Sequence, residues 1–143
     1  MEMEKIGFLT RLVAYIIDGI IVAVGVGIIY AIFGLSGLAA GQVGSEVTFT
    51  AMNAIGLILV IVWSIGYIVV FWSVRGQTPG KMIMGIKIIS TDGSSIGVGK
   101  AIVRLIGYAI SGIVFYLGFL WIIWDKDKQG WHDKIASTYV VKA

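Results

Sequence analysis

Charged side chains are missing from three long stretches of this chain: between Asp18 and Glu46, between Glu46 and Arg75, and between Arg104 and Asp125. Each stretch is filled by Ile, Val, Leu, Gly and aromatic residues, and each approaches or exceeds the ~20 apolar residues that cross a hydrocarbon core. The first predicts a membrane helix from about Phe8 to Leu35. The second predicts another from about Thr48 to Val74, ended by Trp72 and Arg75 as interfacial anchors. Between them, SGLAAGQVGSE is small, Gly-rich and free of Lys and Arg, which reads as an outer loop.

The pattern then changes. MIMGIKIIS, residues 82 to 90, is too short and too β-branched for a span, and Asp92-Gly93 behind it is a turn signal. The region 82–98 therefore predicts a strand and turn. STYVVK, residues 137 to 142, has the same character, and pairing the two strands would cover both edges. That pairing bears on the third apolar stretch, residues 101 to 124. A full crossing would carry the tail, residues 125 to 143, with Lys126, Lys128, Lys134 and Lys142, away from the partner strand and against the positive-inside bias. A re-entrant hairpin broken at Ser111-Gly112, with arms of about 12 residues or roughly 18 Å each, keeps both ends on one side. The re-entrant form is favoured over a third span. Lys5 and Arg11 before the first helix, and Arg75, Lys81, Lys87 and Lys100 after the second, place both termini in the cytoplasm.

Composition agrees. Hydrophobic residues make up 58% and charged residues 13% of the 143 positions, against about 25% charged in soluble domains. The expected fold class is an α-helical membrane protein of one domain, residues 1 to 143. It holds two transmembrane helices, a re-entrant hairpin or third span, and a small cytoplasmic β element. The start MEMEK carries two glutamates where a signal peptide needs a positive region, so the first helix is expected to stay as an anchor. The net charge of +3 is no nucleic-acid signal here, because in a membrane protein the placement of basic residues matters more than their sum. With no cysteine there is neither a disulfide framework nor a thiolate metal site.

Arg11 and Asp18 break the first apolar run, seven residues apart and on one helix face. They are ~10 Å apart along the axis and cannot pair directly within a straight helix. Tyr15 lies between them on the same stripe and could donate to Asp18. Arg11 can snorkel to the headgroups, but a short carboxylate two turns deeper cannot. Asp18 at that depth costs about 2.5–3.5 kcal/mol and requires a partner, a proton or water. Either it serves as an ion or proton site, or it pairs with a cation, for which Arg104 is the candidate. Both readings stay open.

Other constellations weigh less. Asp125, Asp127 and Gly130 occupy the first, third and sixth positions of a calcium loop, but Gln129 and Ala136 stand at the fifth and twelfth, so a solvated tail is expected. His132 beside Asp133 lacks the further ligands of a metal site. QTPGK ends in Gly-Lys without phosphate-loop spacing, and Thr78-Pro79 reads as a turn cap. No nucleophile and base fall together, so no enzyme activity and no cofactor are expected. Gly19, Gly25, Gly27, Gly34, Gly56 and Gly66 would allow close helix approach.

With these residues in view, the sequence resembles the RDD family of small membrane proteins, named for one arginine and two aspartates. The arginine corresponds to Arg11 in GFLTRLVAYIID, the first aspartate to Asp18, and the second to Asp133 in WDKDKQGWHDKIASTYVV. TPGKMIMGIKIISTDG, residues 78 to 93, and Arg104 also follow the family pattern. The proline often found in the family's last hydrophobic segment is absent here. The resemblance implies transport of a small ligand and, for some members, sodium–proton exchange.

Two functions are therefore weighed. In the first, Na⁺ and H⁺ compete for Asp18, steadied by Tyr15, in an oligomer, since two spans and a hairpin cannot readily enclose a hydrophilic route. In the second, Arg11, Asp18 and Asp133 form a structural charge network in an accessory or assembly protein that docks on a larger membrane partner. Asp133 of the tail would reach Arg11 and lock the tail beneath the helices, with Arg104 counted in the same network. A lipid-binding module resting on the cytoplasmic lysines ranks third.

Overall fold

A computed structural model describes residues 3–143. Met1 and Glu2, part of the acidic start weighed above, lie outside the described residues. The chain is mostly helical, with a two-stranded sheet. It divides into two units: one formed by the chain up to Asp18 together with Ile68–Ala143, the other by Gly19–Tyr67.

Among the described residues, two helices are long and apolar enough to cross a membrane, or three if the bent pair Val98–Ile113 and Leu117–Ile123 counts as one span. Helix α1 runs Phe8–Gln42 and α2 runs Glu46–Arg75, 35 and 30 residues. At 1.5 Å per residue these reach roughly 52 and 45 Å, more than a hydrocarbon core of about 30 Å requires. α1 thus continues past Leu35 through most of the segment expected to be a loop. The reason is close packing. A Cβ at Gly37 would meet the Asn53 side chain at 2.7 Å, and one at Gly41 would meet Phe49 at 3.4 Å. The small residues serve helix approach. The turn itself is Val43–Ser45. Gly44 takes a left-handed φ of +78°, and the amides of Gly44 and Ser45 bond back to Gly41 and Ala40, a glycine-dependent helix ending. Glu46 opens α2, where a negative charge complements the helix dipole. In the same unit the Trp63 indole N–H donates to the Val22 carbonyl at 3.1 Å across the face left open by Gly25.

The other unit holds the shorter elements. α3 (Pro79–Ile83) leads through Gly85, φ +63°, into β1 (Ile86–Ser90). Met82 and Ile83, read above as strand, are helical because Thr78-Pro79 nucleates a turn ahead of them. Asp92 closes the following turn by accepting from the Ser94 amide at 2.9 Å. α4 (Val98–Ile113) comes next, then α5 (Leu117–Leu120) with a 3₁₀ turn at Trp121–Ile123. α6 (Trp131–Ala136) precedes β2 (Thr138–Lys142). β2 pairs antiparallel with β1, Ile86 opposite Lys142 and Ser90 opposite Thr138. Lys5 bridges to Val141, so the start of the chain lies beside the same strand.

α4 and the α5 segment meet at a 107° bend. The break is at Val114–Tyr116, not at Ser111-Gly112. Phe115 and Tyr116 hold left-handed φ values of 48° and 58°, which bends the chain at a cost that bulky residues meet only where packing enforces it. Ser111 stays helical and buried, against Gly118, where an added Cβ would stand 2.6 Å from it. The core of this unit gathers Ala14, Trp72, Ile86, Ile88, Ile96, Ala101 and Val140. Trp72, expected at the interface, is instead 1% exposed.

Candidate functional site

The ends of α1 and α2, with α3, α4 and α6, bury an unusual set of charges. Arg11 projects from the first turn of α1. Its Nη1 donates to Asp133 Oδ2 at 2.5 Å, Nη2 to the Lys128 carbonyl at 2.6 Å, and Nε to the Ile6 carbonyl at 3.0 Å. Arg104, on α4, places Nη1 against the other Asp133 oxygen and against the Thr138 hydroxyl. Asp133 stands in the first turn of α6 and also accepts from the Gly130 amide at 3.0 Å, capping its own helix. Burial by itself would raise the Asp133 carboxyl, but Arg104 and Arg11 hold it well below the usual carboxylate range. A carboxylate shared between two buried guanidiniums therefore ties α1, α4 and α6 together. The tail around Asp133 is folded inside, because a charge pair this dry needs protein on every side.

Asp18 lies elsewhere on the α1 stripe and has a different environment. Its Oδ2 accepts from the Thr78 hydroxyl at 2.5 Å and its Oδ1 from the Gly80 amide at 2.8 Å. Arg104, the cation weighed as its partner, meets Asp133 instead. Thr78 leads into α3 with extended backbone at φ −85° and spends its hydroxyl on Asp18, not on its own helix. Gly80 is needed for approach: a Cβ there would stand 2.3 Å from the Ala14 carbonyl oxygen and 2.8 Å from the Asp18 carboxyl carbon. Lys81 follows, 1% exposed, with Nζ 4.8 Å from the Tyr15 ring and 5.7 Å from the Trp72 ring. Tyr15 thus presents its face to Lys81 rather than its hydroxyl to Asp18. Desolvation pulls the Lys81 ammonium down to about 7, helped by Arg104 and opposed by Asp18.

His132 is buried beside Asp133, its Nε2 3.5 Å from Oδ2 and its ring 4.5 Å from that of Tyr108. Burial drives it down to about 3, so the imidazole is neutral. Asp125, first position of the calcium-loop reading, serves a turn instead. It pairs with Lys134 and accepts from the amides of Asp127 and Gln129, both at 3.1 Å, as a turn-forming carboxylate.

The structure thus brings Arg11, Arg104 and Asp133 into one network and sets Asp18 with Thr78, Gly80 and Lys81. Reading the sequence missed these last three as a site. The signal was present in TPGK, where an uncapped Thr and a Gly-Lys precede a strand, but nothing local says that a carboxylate sixty residues earlier needs them.

Comparison with known proteins narrows the identity. The RDD family model matches residues 6–137. The chain is 37% identical to the uncharacterized protein YxaI of Bacillus subtilis, over 97% of this chain and 99% of that one. It is 32% identical to the uncharacterized protein YckC of the same organism, over 96% and 84%. It is also 34% identical to a proline-rich antigen homolog of Mycobacterium tuberculosis, over 62% of this chain and 36% of the longer relative. No solved structure matches. Arg11, Asp18 and Asp133 all fall within the matched residues, and the chain belongs to the RDD family of membrane proteins.

Proposed function

We propose that this chain is a transport protein of the cation–proton exchange type, working as an oligomer, with Asp18 as the carboxylate for which Na⁺ and H⁺ compete. One observation carries the reading: the two buried aspartates have different partners. Asp133 is committed to two arginines, whereas Asp18 accepts hydrogen bonds from the Thr78 hydroxyl and the Gly80 amide, with Lys81 close enough to interact electrostatically. The Thr78 oxygen beside the carboxylate suits a hard cation, which prefers oxygen ligands. Protonation or cation binding at Asp18 would leave the Asp133 frame intact.

The topology that goes with this reading places both termini in the cytoplasm and makes α4–α5 re-entrant. Support comes from the β1–β2 pairing, which requires the intervening segment to leave and return on one side, and from the 107° bend within it. The Lys5–Val141 bridge adds the N-terminus to that side, where the lysines favour the cytoplasm. Two spans and a hairpin cannot readily enclose a hydrophilic route, which favours an oligomer as the working unit.

The frame of Arg11, Arg104 and Asp133 favours a second reading, an accessory protein whose charges serve only assembly. The test is proton flux in proteoliposomes driven by an inward Na⁺ gradient, for the native chain and Asp18→Asn. Flux in the native protein that vanishes in a folded Asp18→Asn variant is the expected result. Equal flux in both, or none in a folded native sample under any Na⁺ gradient, overturns the exchange reading in favour of assembly.

A further inference from the structure

Among the described residues, three buried cations, Arg11, Lys81 and Arg104, stand against two buried carboxylates, Asp18 and Asp133. Arg11 spends its donors on Asp133, Lys128 and Ile6. Arg104 does not. Its Nη1 serves Asp133 and Thr138, while Nε and Nη2 are buried without a hydrogen-bond partner. The indole N–H of Trp72 is buried without one as well.

These groups share one place. The Arg104 guanidinium lies 5.3 Å from the Trp72 ring and 5.9 Å from that of Tyr108, and Lys81 Nζ lies 5.7 Å from the same indole. Trp72 and Tyr108 are 5.0 Å apart, and Tyr15 and Tyr108 are 5.9 Å apart. A guanidinium, an ammonium and an indole can only donate. Native interiors rarely leave such groups unmet. The two cations also repel each other: Arg104 is among the causes that depress Lys81.

The geometry points to a binding site for a small inorganic anion of the size and charge of chloride, held by Arg104, Lys81 and the Trp72 N–H, with Tyr15 and Tyr108 beside it. An anion supplies both the missing acceptor and the missing negative charge, whereas a water supplies only the acceptor. Asp18 is no ligand of this site, and the inference stands whether or not Asp18 exchanges cations.

The test is thermal unfolding of the purified full chain in potassium gluconate, chloride and bromide at matched ionic strength. A saturable rise in Tm with halide is expected, as for any ligand of the native state. Trp72→Phe keeps the ring and removes the donor; Lys81→Met removes the charge. Each should weaken the apparent halide affinity about tenfold or more, the loss typical of a hydrogen bond to a charged group. Asp18→Asn should keep the halide response even where Na⁺-driven flux is lost, which separates this inference from the exchange reading. Equal Tm in gluconate and halide, or a halide response unchanged in both Trp72→Phe and Lys81→Met, would overturn the site and leave water as the acceptor. Crystals soaked in bromide give a second readout, with anomalous density expected between Arg104 and Lys81; its absence at saturating bromide also overturns the site.

Discussion

Asp133 has more resting on it than any other side chain in the frame. Removing its charge strands two buried guanidiniums, and breaking a buried pair from one side costs about 3–5 kcal/mol. Asp133→Asn should therefore cause a large fall in Tm in detergent, and Arg11→Met combined with Asp133→Asn should recover part of it; an Asp133→Asn variant as stable as native would contradict the frame. His132 makes a separate prediction about pH. Its folded pKa lies near about 3 against an ordinary 6.5, so between those values the unfolded chain binds the extra proton and stability rises with pH. Tm should decline as pH is lowered from 6.5 toward 4, and His132→Gln should flatten that slope. Lys81, lowered from 10.5 to about 7, acts in the same sense on the alkaline side. Stability gained between pH 7 and 10 should shrink in Lys81→Met.

At the level of helices and turns, missing side chains matter as much as those present. α3 reaches Asp18 only because residue 80 is glycine. Gly80→Ala puts a Cβ 2.3 Å from the Ala14 carbonyl oxygen, and such overpacking costs about 1–3 kcal/mol. The expected outcome is a destabilised protein that also loses Na⁺-dependent flux, measured together in detergent and proteoliposomes. In the α1–α2 hairpin, a Cβ on Gly25 would fall 2.3 Å from Trp63 Nε1. Gly25→Ala should expel the indole from its bond to Val22 and lower Tm by a comparable increment. A neutral result at either glycine would mean that the backbone yields there.

For the complete chain, the sharpest question is which parts share a side of the membrane. The sequence has no cysteine, so single cysteines report accessibility without background. Ser45→Cys, in the α1–α2 turn, should react with an impermeant maleimide in intact cells. Ser94→Cys and Lys126→Cys should react only after permeabilisation. Labelling of Lys126→Cys in intact cells while Ser94→Cys stays protected would mean that α4–α5 crosses the bilayer, which the β1–β2 pairing opposes.

Much of this was legible in the order of residues. Two apolar helices, a short strand from the IKIIS run, and a second from TYVVK follow from hydrophobic transfer and local β preference, which act along the chain and add up residue by residue. Arg11, Asp18 and Asp133 were visible as charges out of place for the same reason. A pairing of Arg11 with Asp133 could be weighed from the sequence, but the partners of Asp18 could not. Asp18 meets Thr78 across sixty positions, and no local pattern encodes such a distance. Folding alone buried Trp72 under Arg104 and moved the break from Ser111-Gly112 to Val114–Tyr116. Each of these follows from packing between distant segments, where a buried charge or donor takes whichever partner the fold delivers to it.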